Sequence, residues 1–266
     1  MGSLREIKDR IASVRSTLKI TSSMKLVASA KLHKSQNALA GMVAYEKTFR
    51  DIISCVPGSV TCGGGGARQD ARVAIVAFAS NSSLCGGFNS AIARQLSVQM
   101  DKYPGAETIL LGRKLPGGRF SELMAHPSYE SAAALADSLV EKFRSGEYSR
   151  IVLVYSHYAS TSSQIPTVEQ FLPLEAEQGK SAESDRFIFE PDPQKLLDSV
   201  MDQMLRLKIY TVVLDTATAE HAARTVAMQT ASDNAEGLLS ELTLEYNKGR
   251  QQKITAEILD LIGGAQ

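Results

Sequence analysis

Apolar residues at the start of this chain recur at alternating steps of three and four. This spacing is typical of the seam of a left-handed coiled coil. Ser3 and Glu6 match a capping box, which predicts a helix start at Ser3. Since no proline precedes Pro57, the pattern predicts one helix over Ser3–Val56, about 80 Å long at 1.5 Å per residue. The residues that begin the seam are Leu4, Ile7, Ile11, Val14 and Leu18.

The same register continues beyond Leu18, but its middle contains polar and small residues. A seam with such residues is imperfect, and a lysine at one of its positions must keep its ammonium close to water or to a partner. The later positions of the register are Thr21, Lys25, Ala28, Leu32, Ser35, Leu39, Met42, Glu46, Phe49 and Ile53.

A second long helix is predicted at the other end, over Gln194–Gly263. Pro191 and Pro193 exclude helix before it and suit a first helical turn, and Gly263-Gly264 ends the pattern. Helices of this length need tertiary partners for their apolar stripes, and the simplest partner for each is the other. Its predicted seam is Met228, Ala231, Ala235, Leu238 and Leu242, followed by a shifted stripe of Ile254, Ile258 and Leu261.

The middle of the chain alternates strand and helix patterns. Strands are predicted at Arg72–Ala79, Thr108–Leu111 and Ile151–Tyr155, and helices at Phe88–Met100 and Tyr129–Phe143. Because parallel strands require crossovers of this kind, the pattern predicts a small, doubly wound, Rossmann-like α/β domain. Two further segments, Gln164–Leu172 and Phe187–Phe189, are candidate edge strands.

These patterns divide the chain into four parts. Residues 1–56 form the N-terminal coiled-coil helix, and residues 57–71 form a flexible linker that contains Gly63–Gly66. Residues 72–190 form the α/β domain, and residues 194–266 form the C-terminal coiled-coil helix. The fold class is therefore α/β with a long two-helix coiled coil.

Composition is that of an ordinary soluble protein, with 44% hydrophobic and 22% charged residues. No apolar run approaches the length of a membrane span, and the polar start does not resemble a signal peptide. The three cysteines, Cys55, Cys62 and Cys85, form no CxxC pair, so neither a disulfide framework nor a zinc site is expected. We expect a reducing compartment.

Charge is unevenly distributed although the net charge is zero. Residues 1–56 hold ten Lys or Arg against four Asp or Glu, a net charge of +6, while residues 57–194 and 195–266 each have a net charge of −3. Either the two helices attract each other, or the basic residues face acidic surfaces of a partner. Nucleic-acid binding is disfavoured because the chain as a whole is not basic. The basic residues in question are Lys8, Arg10, Arg15, Lys19, Lys25 and Lys31.

The chain contains no complete catalytic motif. Ser80–Asn89 follows a strand and precedes a helix but lacks the GxGxxG spacing, and Gly112 and Gly117 lack the Lys-Ser/Thr of a P-loop. These glycines are better explained by tight turns. We expect no catalytic residue, no cofactor and no metal. Two rival functions remain, a nucleotide-dependent α/β enzyme with helical arms and a coiled-coil adaptor or nucleic-acid clamp.

Segments at both ends resemble the gamma subunit of F-type ATP synthase. They occur in the family's order, and the resemblance covers the whole chain, with the middle least alike. The segments are Ile20–Leu32 (ITSSMKLVASAKL), Glu220–Met228 (EHAARTVAM), Ser232–Ala235 (SDNA), Leu242–Lys248 (LTLEYNK) and Arg250-Gln251.

The departures from the family pattern are local. Asn81-Ser82-Ser83 stands before Leu84-Cys85-Gly86-Gly87 where the family usually has Asp-Arg-Gly, so a charge contact at that loop is absent or changed. Gly249 stands where the family usually has Ala, and a glycine inside a helix costs about 1 kcal/mol relative to alanine.

The resemblance implies a central rotor shaft that is not itself an enzyme. Its terminal helices would wind into an antiparallel left-handed coiled coil inside the hexamer of alpha and beta subunits. The α/β domain and lower shaft would bind the epsilon subunit and the c-ring of the membrane sector. Rotation would couple proton transport to ATP synthesis or hydrolysis, in a peripheral complex on the cytoplasmic face of a bacterial inner membrane.

The resemblance also implies contacts with the alpha/beta ring. Met24 and Lys25 match the family's coupling-sensitive segment, with Lys25 reaching outward or meeting an acidic loop of the beta subunit. Four apolar residues would form a tip that turns in a bearing, namely Ile254, Ile258, Leu261 and Ile262. The matching polar contacts are Arg250, Gln251, Thr255 and Glu257.

Overall fold

The computed structural model describes residues 4–55, 72–174 and 193–263. The elements in chain order are α1 (Leu4–Cys55), β1 (Arg72–Phe78), α2 (Phe88–Lys102), β2 (Glu107–Leu111), α3 (Glu122–Ala125), α4 (Tyr129–Arg144), β3 (Tyr148–Tyr158), β4 (Gln164–Leu172) and α5 (Pro193–Gly263). Helices at both ends thus flank a central sheet. Ser3, the glycine-rich linker and the candidate strand Phe187–Phe189 lie outside the described residues.

The chain divides into two compact units. One, the helical unit, holds the residues up to Ala28 and those from Arg224 onward, and the other, the sheet unit, holds Ser29–Ala223.

Contacts in the helical unit run antiparallel, because residue numbers rise along α1 as they fall along α5. Thr21 Oγ1 lies 2.8 Å from Ser232 Oγ, and Lys25 Nζ lies 2.9 Å from Gln229 Oε1. Leu4 meets α5 at Gly249, where an added Cβ would lie 3.0 Å from Leu4 Cδ2.

Burial along α1 follows the register predicted from the sequence. No position of that register from Leu4 to Phe49 is exposed, and Ile7, Ala28, Leu32 and Phe49 are buried. The side chain of Ile53 lies outside the described residues.

The predicted seam of α5 needs two corrections. Ser232 is 4% exposed and contacts Thr21, whereas the predicted Ala231 is only half-buried. Leu238 is 52% exposed, whereas Leu239 is half-buried. The less exposed side of α5 therefore continues from Ala235 by a step of four to Leu239, where a step of three to Leu238 was predicted. It then passes through Leu242, Tyr246 and Gly249. Both steps are compatible with a helix face, so spacing alone did not choose between two adjacent leucines.

One polar pair interrupts the apolar contact. Thr21 is 9% and Ser232 is 4% exposed. Thr21 Oγ1 donates to the carbonyl oxygen of Leu18 at 3.1 Å, so its lone pairs accept the hydroxyl of Ser232. Both hydroxyls are thereby satisfied, as buried polar groups must be.

The sheet unit contains a four-stranded mixed sheet of order β2-β1-β3-β4. Strands β1, β2 and β3 are parallel, as their helical connections require. Gln164–Leu172 is an edge strand and runs antiparallel to β3. The short helix α3 was not predicted from the sequence. Ser121 caps it by accepting from the backbone N–H of Met124.

Both faces of the sheet are covered. On one face Val76, Phe78 and Leu153 pack with α4 and with Leu205 and Ile209 of α5. On the other face Ile75 and Ala77 pack with α2 and with Ala219 and Ala223. Strands buried on both sides carry continuous apolar runs, which explains why β1 was predicted with almost its observed bounds.

The loop after β1 is held by Asn81. Its side-chain amide donates to the carbonyl oxygen of Ser121 at 2.7 Å and accepts from the N–H of Ser121 at 3.1 Å. An amide performs both roles, whereas an ionised carboxylate only accepts. Nearby, Gly112 has φ 118°, and a Cβ there would overlap the carbonyl of Ala79. The glycine allows the backbone after β2 to approach the backbone after β1 closely.

Within the sheet unit, polar groups connect the α1 and α5 segments to the sheet. Lys208 on α5 pairs with Glu169 of β4 at 2.7 Å and with Glu46 of α1 at 3.7 Å. Burial raises the pKa of the Tyr155 hydroxyl, and the charge of Glu169 raises it further. The phenol therefore stays protonated and donates to Glu169 Oε2 at 3.0 Å.

A second tie lies at the end of β3. Asp215 on α5 is 6% exposed and accepts from the backbone N–H of Tyr158 at 2.8 Å and from Nδ1 of His157 at 2.7 Å. The hydroxyl of Tyr158 accepts from Gln36 of α1 at 2.6 Å. The buried carboxylate therefore has hydrogen-bond partners on the sheet.

We predict that Thr21→Val lowers the free energy of unfolding by about 1–3 kcal/mol, because it leaves the buried hydroxyl of Ser232 without its acceptor. The double variant Thr21→Val/Ser232→Ala should recover much of this loss, since both polar groups are then absent. Urea denaturation of the full chain measures each value. Thr17→Val is the control, as Thr17 is exposed and bonds only within its own helix. Equal losses for Thr17→Val and Thr21→Val would contradict the prediction.

We predict that Gly237→Ala stabilises the chain by about 1 kcal/mol through helix propensity, because a Cβ there meets nothing within 4 Å. Gly249→Ala should stabilise it less, since the new Cβ presses on Leu4. In a Leu4→Ala background the two substitutions should become equivalent. Thermal unfolding of each glycine variant in the native and in the Leu4→Ala background checks this. Equal gains for Gly249→Ala and Gly237→Ala in the native background would argue against a close contact with Leu4.

Candidate functional site on the terminal helices

Met24 and Lys25 lie close to Ala28, where the α1 part of the helical unit ends, and both are half-buried. Lys25 occupies a seam position, and its ammonium leaves the seam by reaching across to α5, where Nζ donates to Gln229 Oε1 at 2.9 Å. The hydrogen bond is exposed to solvent. The apolar stem of the lysine therefore contributes to helix packing while the charge remains near water.

Gln229 is itself held by a carboxylate of the same helix. Its Nε2 donates to Asp233 Oδ1 at 2.6 Å, across one helical turn. Lys25, Gln229 and Asp233 thus form a chain of two hydrogen bonds, which we call the amide relay. Sequence reasoning missed Gln229, Asp233 and Ser232. The four-residue spacing of Gln229 and Asp233 was a signal for their mutual contact, but nothing in the sequence pointed to Lys25.

The terminal segment of α5 is exposed. Every residue from Arg250 to Asp260 is exposed, and the described part of α1 starts at Leu4, which lies opposite Gly249. Arg250, Gln251, Thr255 and Glu257 are therefore exposed, as are Ile254 at 47% and Ile258 at 50%. Leu261 and Ile262 are helical, and their side chains lie outside the description.

At 3.6 residues per turn, the exposed segment has two chemically different sides. One side carries no charge, and it joins Gln251 and Thr255 to three large apolar side chains. The opposite side is charged, and Lys253 pairs there with Glu257 at 3.6 Å. The neutral side consists of Gln251, Ile254, Thr255, Ile258 and Leu259, and the charged side of Arg250, Lys253, Glu257 and Asp260.

Four of the basic residues predicted on α1 are exposed in the helical unit, namely Lys8, Arg10, Arg15 and Lys19. Within the described ranges, none of them has a carboxylate close enough for an ion pair. These four cations therefore lie on the surface of the described part of α1.

The described residues contain no group of three or more His, Cys, Asp or Glu side chains placed to hold a metal ion. Among the helices in those ranges, none has the apolar length to cross a membrane.

Comparison with known proteins identifies the family. A family model described as ATP synthase matches residues 3–266. The chain is 44% identical over 287 residues to the ATP synthase gamma chain of Phocaeicola vulgatus, covering 100% of this chain and 99% of that protein. It is 41% identical over 284 residues to the ATP synthase gamma chain of Parabacteroides distasonis, with the same coverage.

A solved structure has a similar fold. A chain from the cryo-EM structure of the Euglena gracilis mitochondrial ATP synthase, comprising OSCP, F1 and c-ring, aligns with a TM-score of 0.68 at 16% identity, covering 99% of this chain and 94% of that one. The match of nearly every residue to one family model, together with relatives above 40% identity over their full length, shows that this chain belongs to the ATP synthase gamma chain family.

Proposed function

We propose that this chain is the central rotor shaft of a proton-translocating ATP synthase. The observation that carries the proposal is the full-length identity with gamma chains. The antiparallel contact of the chain's two ends supports it, because a shaft needs two long helices that stabilise each other. The finer arrangement we propose is a left-handed antiparallel coiled coil with a doubly wound α/β domain, and the predicted steps of three and four support that handedness.

The shaft does no chemistry of its own. It presents a different face to each of three identical catalytic sites on the alpha and beta subunits, and each site's nucleotide affinity changes by the difference in contact free energy. Moving one site from a hundred-to-one preference for one state to the opposite preference requires about 5.5 kcal/mol. Rotation supplies this difference to each site in turn, without a catalytic residue on the shaft.

Two surfaces of the helical unit suit contacts with the alpha/beta ring. The neutral side of the α5 terminus carries Ile254 and Ile258 beside the polar Gln251 and Thr255. Its apolar side chains suit a surrounding partner surface that is itself apolar, and Leu261 and Ile262 follow in the sequence. The exposed cations of α1 and Lys25 suit acidic segments, since attraction between opposite surface charges favours association. We assign Met24, Arg250 and Glu257 to the same interface.

The sheet unit supplies the remaining contacts, which we propose to be with the epsilon subunit and the c-ring. The complex would then be peripheral to a bacterial inner membrane, on its cytoplasmic face. The Euglena neighbour comes from an assembly that includes a c-ring, which supports the proposed c-ring contact.

Co-purification with alpha and beta subunits tests the proposal. The tagged chain, co-expressed with both subunits, should elute with them as one complex. Binding of labelled nucleotide or duplex DNA to the isolated chain, without that complex, would favour an enzyme or a nucleic-acid clamp instead.

We predict that Lys25→Glu lowers the number of protons pumped per ATP hydrolysed by about tenfold, because it removes an attraction to an acidic partner worth about threefold and adds a repulsion of similar size. Proton pumping and ATP hydrolysis are measured together in membrane vesicles. Lys34→Glu, the same change at another exposed position of α1, is the control. Unchanged coupling in the Lys25→Glu complex would remove Lys25 from the interface.

A further inference from the structure

We propose that Gln229 and Asp233 are positioning residues that hold the ammonium of Lys25 at a fixed place on the helical unit without neutralising its charge. The role in coupling rests on the proposed function. The geometry that holds the ammonium belongs to this chain alone.

The orientation of the Gln229 amide follows from its two neighbours. Asp233 is a carboxylate that, when ionised, only accepts, so it takes a hydrogen bond from Gln229 Nε2 at 2.6 Å. The carbonyl oxygen of the amide must then point away from Asp233. It points toward Lys25, whose ammonium only donates and lies 2.9 Å away. Asp233 thus orients the Gln229 amide, and the amide oxygen in turn holds the Lys25 ammonium. The hydrogen bonds of the amide relay therefore have one consistent orientation.

The choice of a neutral acceptor preserves the charge of Lys25. A carboxylate at position 229 would form an ion pair with the ammonium and cancel most of its field. Gln229 supplies an oxygen without a charge, and the compensating carboxylate of Asp233 is one side chain further away. In the ranges that the structure describes, Lys25 forms no ion pair. One of its three N–H donors is used by Gln229, which leaves two for an acidic group of a partner.

The amide relay lies one helical turn from a buried polar contact of the helical unit. Thr21 precedes Lys25 by four residues, and its bond to Ser232 is buried at 2.8 Å. This bond limits rotation of the two helices about their axes, so it fixes the distance that Lys25 must span. An unrestrained lysine has several rotatable bonds and loses rotamer freedom when a partner binds it. The relay removes part of that cost before the partner arrives.

An exchange of the Lys25 and Gln229 side chains tests whether coupling depends on the position of the charge or only on the contact between the two helices. In Lys25→Gln/Gln229→Lys, an amide and an ammonium still meet across the helices, but the charge is on α5 beside Asp233. We expect Lys25→Gln to lower the number of protons pumped per ATP hydrolysed by about threefold, because one exposed ion pair with the partner is lost. The exchange variant should have the stability of the native chain, while its coupling stays as low as that of Lys25→Gln. Recovery of both stability and coupling would overturn the proposal, because the helix contact alone would then suffice.

We expect a carboxylate at position 229 to lower coupling without lowering the stability of the chain. The new carboxylate pairs with Lys25 but would repel Asp233, which accepts a hydrogen bond from Gln229 in the native chain. Gln229→Glu is therefore made together with Asp233→Asn, whose amide can donate to it, and the free energy of unfolding should then be unchanged or higher. The cancelled charge should lower coupling by about threefold. A residue with only a structural role would not lower coupling while preserving stability. Thr230→Val is the matched control on the same turn, since Thr230 is exposed and donates to Val226 of its own helix. Native coupling in Gln229→Glu/Asp233→Asn would contradict the proposal.

The isolated full-length chain provides a test that does not depend on the motor. The rate at which an amine-selective acylating reagent modifies Lys25 is measured by peptide mass spectrometry, with Lys19 as internal reference. Gln229→Leu releases the ammonium and should raise this rate by about threefold, corresponding to an exposed hydrogen bond to a charged group. An unchanged rate would show that the relay does not hold Lys25. A raised rate in a chain that fails to co-purify with alpha and beta subunits would retain the positioning role and reject the proposed function.

Discussion

Burial of a narrow apolar seam is the interaction on which the terminal helices depend. Helix α1 has 52 residues and α5 has 71, and helices of this kind owe most of their stability to tertiary packing rather than to propensity. In the helical unit each finds that packing on the other. In the helical unit the seam occupies one side of each helix, so most of the remaining surface there is left to charged, polar and isolated apolar side chains, and these are available to partners.

The polar members of the seam have a different role from the apolar ones. Burial of Ile7 or Ala28 is favourable without a particular partner atom, whereas Thr21 requires a hydroxyl at the matching place on α5. Such a pair contributes little net stability but excludes other alignments, as single polar positions do in coiled coils. In a gamma chain that specificity has a use, since the faces presented to three identical sites must be the same at every turn.

The two ends of the proposed shaft work through contrasting surfaces. Lys25 is fixed by Gln229 and keeps its charge, which suits a contact that must be made and broken with an acidic group. The end of α5 carries Ile254 and Ile258 exposed on its neutral side, and apolar side chains of that kind can turn against an apolar partner surface without directional bonds. The sheet unit is built differently, with both faces of its sheet buried and with ionic ties from Lys208 and Asp215.

The sequence by itself determined the two terminal helices, most of the helices and strands between them, and the family. Steps of three and four marked the α1 register, continuous apolar runs marked β1 and β3, and motifs at both ends identified a gamma chain, because each of these features is local. Tertiary structure decided what depends on residues far apart. It placed Leu239 rather than Leu238 on the seam, turned β4 antiparallel and joined Thr21 to Ser232. It also brought Lys25 to Gln229, a pairing that no spacing within either helix encodes, since it arises only when the two ends of the chain meet.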